Sequence, residues 1–340
     1  MNASQLRTAG GRANWDAAEL GARGGWSVRP SAAALAELSD FARAAARDDV
    51  MLRSIRLQDG MLPRLRAELE PFGDELRSGS GVILIRGLPL EQLARAELDV
   101  LCWAIGCLFG DGVAQNLRGE LLGDVINLSD QQASARPFQN GGGLIMHRDP
   151  VDVVGLLCVR HAKHGGLSRI VSAPRIHDIL LHESPERLAR LYEGFPYHRL
   201  DEDRGDSEPF TPHKVPVFAR DSEGNVGCFF IPGPINRAGR LRYPIDPLGR
   251  QALDDFVALS ERSDLYFDMD LKPGDLQLLN NRVILHGRTD YEDSPELQSR
   301  RLMLRLWLQE PRWPALHPHQ RFFEDPDHFG NRSTAPVDRS

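Results

Sequence analysis

A chain of 340 residues with 41% hydrophobic and 26% charged residues can bury a substantial core, so disorder throughout is excluded. The 41 Lys and Arg against 48 Asp and Glu give a formal net charge of −7, which argues against a nucleic-acid binder led by electrostatics. No apolar run approaches the roughly 20 residues of a membrane helix, no signal-like stretch opens the chain, and the 4 cysteines form no CxxC pair, so a cytoplasmic, reduced protein is expected.

In chain order, residues 1–80 read as a helical extension packed on the core. Ser31 precedes an Ala- and Leu-rich stretch to about Asp48, a capped helix, while the Gly- and Ala-rich residues before Arg29 predict irregular chain. From Gly81 the texture changes. Val82-Ile-Leu-Ile-Arg-Gly87 is a β-branched run closed by glycine and predicts a buried strand. Residues 91–109 return to helical spacing through Leu93, Leu98, Leu101 and Ile105. Short apolar runs then alternate with Gly, Pro and Asp turns. They predict strands near 125–128, 153–159, 169–172, 215–219, 228–231, 265–269, 275–279, 283–286 and 302–308, with helices over 174–193 and 248–262. So many short strands argue for a mainly β fold with flanking helices, a sandwich or jelly roll, rather than a doubly wound sheet. The expected division is an extension over 1–80, a core over 81–312 and a surface tail over 313–340 rich in Pro, His, Asp and Arg, with one catalytic domain in all.

Most of the 11 histidines stand singly on helices, in loops or in the tail. His161 and His164, beside a lysine and a turn, read as a solvated cluster. His147 and Asp149 differ, because a glycine run (Gly141 to Gly143) gives way there to an extended segment. Residues i and i+2 of a strand share a face, so the imidazole and carboxylate converge. They form two arms of a 2-His-1-carboxylate site, which holds non-haem Fe(II) and leaves positions open. Alone, His-x-Asp is a common structural tripeptide, and a third arm must come from far away. His286, at the end of an apolar run, is the candidate.

Residues 300–309 alternate strictly. Leu302, Leu304, Leu306 and Leu308 take one face, and Arg301, Met303, Arg305 and Trp307 the other. The leucine face is committed to a core. Two guanidiniums beside Met and Trp suit a pocket that receives carboxylates, although an ordinary solvent face remains the plain alternative.

These residues resemble the Fe(II)/2-oxoglutarate-dependent oxygenases of the taurine dioxygenase and clavaminate synthase type. The resemblance runs from about Gly81 to Glu310 and rests on the Gly-Val-Ile-Leu-Ile-Arg-Gly-Leu-Pro run, His147-x-Asp149, Gly165-Gly-Leu-Ser168, Pro273-Gly-Asp275, Asn280-Asn-Arg282 leading to His286, and Arg301 with Arg305. It implies a double-stranded β-helix (jelly roll), with His147, Asp149 and His286 as iron ligands. It implies further that Arg301, with Arg300 as the neighbouring register, and Ser168 hold the distal carboxylate of 2-oxoglutarate, and that Arg305 binds an acidic group of the substrate. The implied reaction oxidises, in the simplest case hydroxylates, a C–H bond of a small anionic metabolite, consuming O2 and releasing succinate and CO2. The carboxylate at position 149 disfavours the halogenating variant. Three rivals stand beside this reading: a cupin-like metal enzyme that uses no 2-oxoglutarate, a non-catalytic jelly-roll binding module, and a zinc hydrolase. The last is weakest, because neither His-Glu-x-x-His nor Gly-x-Ser-x-Gly occurs. No nucleic-acid or membrane partner is expected.

Overall fold

The computed structural model describes residues 3–57, 60–116, 118–130, 139–199 and 208–321, so the end of the expected tail, 322–340, lies outside the described residues. Among them the strands are β1 (Ser27–Val28), β2 (Val82–Ile85), β3 (Asp111–Gly112), β4 (Leu122–Ile126), β5 (Leu144–His147), β6 (Val153–Arg160), β7 (His164–Gly165) and β8 (Ser168–Ser172). They continue as β9 (Phe218–Arg220), β10 (Val226–Cys228), β11 (Phe267–Met269), β12 (Leu276–Asn280), β13 (Ile284–Arg288), β14 (Tyr291–Glu292) and β15 (Leu302–Gln309). A seven-stranded sheet runs β1-β2-β12-β6-β15-β3 with β4 also on β15, and a four-stranded sheet runs β11-β8-β13-β5. Strands distant in sequence lie side by side in both sheets, and all pairs are antiparallel except β1 with β2.

The alternation of β15 sets the layers. Leu304, Leu306 and Leu308 join Leu38, Leu65, Leu101 and Trp103 in a core between the larger sheet and the helices Ala32–Arg47, Pro63–Leu69 and Arg95–Gly106. Met303 and Trp307 point the other way. They meet Leu84, Val154 and Leu279 of their own sheet and Ile170, Met269 and Ile284 of the smaller one. The outer face of the smaller sheet, through Met146, Val171 and Leu285, buries itself against the helices Ala173–Glu183, Pro185–Glu193 and Pro247–Ser260. The result is two facing sheets clad by helices on both sides, the jelly-roll architecture with flanking helices that strand count and resemblance predict.

Departures from the sequence reading have local causes. Residues 174–193 form two helices, because Pro185 lacks an N–H and forces Ser184 out of helical geometry (φ −153°). Asp16 and Glu19 close a capping box on a short helix, Ala17–Ala22, where irregular chain is expected. The helix Pro232–Leu241, which the sequence reading does not anticipate, opens on Pro-Gly-Pro, where proline suits the first helical position. The helical stretch expected over 91–109 narrows to Arg95–Gly106, and the strands expected over 215–219 and 228–231 are displaced to β9 and β10, each overlapping its expected range only in part. Among the described residues no helix is long and apolar enough to cross a membrane.

Candidate metal centre

His286 lies in β13 and His147 closes β5, and the two are directly opposed across the antiparallel pair. Their rings stand 4.5 Å apart between centroids. β5 ends at His147, so Asp149 sits just beyond the strand rather than on it. Arg148 holds that turn. Its buried guanidinium donates to the carbonyls of Asp149, Val151 and Cys228, and its backbone N–H donates to Phe230. The three side chains converge, with one ligand atom from each lying within 4.8 Å of the others.

The protonation states suit a cation. His147 Nδ1 is 2.9 Å from the Ile145 carbonyl, which can only accept, so Nδ1 donates there and Nε2 is the ring nitrogen left to face a cation. Burial, reinforced by His147 and opposed by Asp149, pushes His286 down to about 3, which leaves that ring neutral. Burial also pushes the Asp149 carboxyl up, but Arg305, the two histidines and the Trp307 N–H outweigh it and hold Asp149 below its ordinary range. Two imidazoles and one buried carboxylate are a fitting donor set for Fe(II).

Asp149 has two further neighbours. Trp307 Nε1 donates to Oδ2 at 2.8 Å, and Arg305 Nη1 stands 3.6 Å from Oδ1. Arg305 also donates from Nε to Gln115 Oε1 at 2.8 Å and lies over the Trp307 ring. Asp149 is thus an acidic neighbour of Arg305. Asp290 and Glu292, acids further back on the same stretch of chain, are engaged by the Gly143 N–H and Lys163 respectively.

The structure separates the neighbouring arginines. Arg300 forms a two-pronged ion pair with Asp130, whose side chain is 56% exposed. Arg301 is buried, with Nη1 unpartnered. It packs against Gly166, where an added Cβ would meet Arg301 Nε at 3.2 Å. Gly165 precedes it at φ +72°, and a Cβ there would collide with the Asp290 carbonyl, so position 165 must be glycine. Ser168, two residues beyond Gly166, donates to Gln277 Oε1 at 2.9 Å and is paired across strands with Arg288.

The site therefore includes residues that the sequence reading passes over: Trp307 as a donor to Asp149, Gln115 on Arg305, Gln277 on Ser168, and Arg288 and Tyr291 beside Arg301. Arg288 follows His286 by two residues on one strand and so shares its face, a signal present in the sequence. Gln115 carries no such signal, being 190 residues from its partner.

The model of the taurine catabolism dioxygenase TauD, TfdA family matches residues 52–307. FR-33289 synthase of Streptomyces rubellomurinus (strain ATCC 31215) is 28% identical over 312 residues, 88% of this chain and 89% of that protein. Uridine-5'-phosphate dioxygenase of a Streptomyces species is 29% identical over 179 residues, 51% of this chain and 62% of that one. Asparagine oxygenase in complex with Fe(II), 2S,3S-3-hydroxyasparagine and succinate superposes with a TM-score of 0.63 at 19% identity, covering 84% of this chain and 94% of that one. The non-heme iron oxygenase OrfP in complex with Fe and alpha-ketoglutaric acid superposes with a TM-score of 0.63 at 16% identity, covering 83% and 93%. At such identities the two superpositions speak for a shared fold.

Proposed function

The chain belongs to the TauD/TfdA family and is an Fe(II)- and 2-oxoglutarate-dependent dioxygenase acting on a small molecule, and from that membership we propose that His147, Asp149 and His286 hold the iron. The observation that carries the assignment is the convergence of two imidazoles and one carboxylate within 4.8 Å. Bound there, iron with O2 and 2-oxoglutarate supplies the oxidation of a substrate C–H bond, with release of succinate and CO2. Arg301 and Ser168 receive the distal carboxylate of 2-oxoglutarate, the serine turning its proton from Gln277 to that acceptor. In support, Arg301 is buried with an unpartnered Nη1, whereas the neighbouring Arg300 is committed to Asp130.

The substrate in this reading is a small anionic metabolite, hydroxylated while Arg305 anchors its charge. Arg305 stands beside Asp149, and once a metal shares that carboxylate its guanidinium can turn to an incoming anion. One relative is named for an anionic substrate, uridine-5'-phosphate.

Anaerobic titration with Fe(II) and then 2-oxoglutarate tests the assignment. His286→Ala should lose iron affinity and succinate release together. Arg301→Ala should take up iron normally but raise the 2-oxoglutarate constant roughly 10–100-fold, the worth of a charge-assisted hydrogen bond in a pocket. Arg300→Ala should leave that constant near the parent value. Full iron affinity in His286→Ala would overturn the ligand set, and a loss in Arg300→Ala alone would move the co-substrate contact one residue back.

A further inference from the structure

Arg301 is not alone in lacking a partner. The Tyr291 hydroxyl is also buried with no hydrogen bond, and the Arg301 guanidinium lies 5.4 Å from the Tyr291 ring centre. A second guanidinium, Arg288, lies 4.6 Å from the same ring and spends Nη2 on the carbonyls of Asn140 and Gly142. The surrounding backbone holds Tyr291 firmly in place. Its N–H donates to the Gly141 carbonyl, β14 pairs with β7, and a Cβ at Gly166 would meet Tyr291 Cβ at 3.3 Å. Two buried donors, one cationic and one neutral, thus stand unsatisfied side by side. Ser168, by contrast, already directs its proton at Gln277. Unpaired buried donors are destabilising, and they persist where a ligand completes them.

We propose that the Tyr291 hydroxyl is a further binding group for the distal carboxylate of 2-oxoglutarate, acting beside Arg301. The inference rests on the reading that Arg301 faces the co-substrate. A carboxylate has two oxygens and only acceptor capacity, so a guanidinium and a phenol bound to it satisfy both orphans at once. A competing acceptor is Asp293, whose Oδ1 takes the Arg301 backbone N–H and whose Oδ2 is unpartnered.

Tyr291→Phe removes the hydroxyl and keeps the ring between the two arginines. The test is calorimetric titration of the iron-loaded full chain under anaerobic conditions, with 2-oxoglutarate and separately with 2-oxobutyrate, which lacks the distal carboxylate. The variant should bind 2-oxoglutarate about tenfold more weakly, bind 2-oxobutyrate as the parent does, and keep the parent iron affinity. Equal weakening of both acids would make Tyr291 a structural residue and overturn the proposal. An unchanged 2-oxoglutarate constant would also overturn it, assigning the hydroxyl to Asp293. Arg301→Ala in the same titrations separates the two readings. If it loses 2-oxoglutarate while Tyr291→Phe does not, only the tyrosine is misassigned; if it too is unchanged, the Arg301 reading falls.

Discussion

The indole N–H of Trp307 and the guanidinium of Arg305 divide the two oxygens of Asp149 between them. An aspartate that must serve a metal has rotational freedom to lose, and the hydrogen bond at 2.8 Å removes that freedom before any cation arrives. In the proposed centre Trp307 is therefore a positioning residue. Trp307→Phe keeps an aromatic face under Arg305 and deletes the N–H. Fe(II) affinity in that variant should fall roughly 10–100-fold, as for other partners that orient a metal ligand. Thermal stability should change far less than affinity, and an unchanged iron titration would remove Trp307 from the metal centre. His147 needs no such partner from afar, because its orientation comes from the Ile145 carbonyl two residues away.

At the scale of the element, β15 serves two cores and the site at once. One face carries Leu304, Leu306 and Leu308 into the helical layer, and the other carries Met303, Arg305 and Trp307 between the sheets. A register slip of one residue would exchange these faces, so the leucine stripe also fixes where Arg305 and Trp307 point. Leu304 is fully buried beneath the helices. Leu304→Ala should lower unfolding stability by about 2–5 kcal/mol, read from denaturant midpoints, through lost burial and an unfilled cavity. Because the leucine face does not touch the metal centre, iron stoichiometry should persist in the folded fraction. Loss of iron without loss of stability would mean that β15 does not insulate its two faces in this way.

Across the whole molecule, the two sheets meet over an apolar middle, and the polar groups gather at its margin. Ile170, Leu279 and Met303 fill the space between the sheets, while His147, Asp149 and His286 collect where β5 and β13 end their pairing. Both His286 and Asp149 are buried there, which favours a cation held between them. Ligands that bind only the folded chain should then stabilise it by mass action, about 2.7 kcal/mol at 100-fold excess over the dissociation constant. Fe(II) alone should raise the melting temperature, and 2-oxoglutarate should raise it further only when iron is present. A chelator should reverse both shifts. Equal stabilisation by 2-oxoglutarate without metal would argue that the acid binds elsewhere.

The local code determined much of this protein. Period-two alternation placed β15, a β-branched run placed β2, a short apolar run placed β12, and His147-x-Asp149 with His286 named the three groups that converge. These are short-range signals, since the chemistry of neighbouring residues dictates face and conformation. The sequence could not choose between Arg300 and Arg301, because a one-residue shift near a strand end turns a side chain to the opposite face. The bulge between Leu302 and Met303 lies at that point, and only the folded chain shows Arg300 paired with Asp130 and Arg301 buried with Nη1 unpartnered. The partners of Arg305 were equally hidden. Gln115 and Asp149 lie 190 and 156 residues away along the chain, and only the antiparallel stacking of β15 on β4 and β6 carries Arg305 to them. The same holds for Tyr291 between two arginines, where close packing of separate strands left a hydroxyl buried and unpaired. Contacts of that kind depend on sub-ångström placement of distant segments, and no periodicity in the chain encodes it.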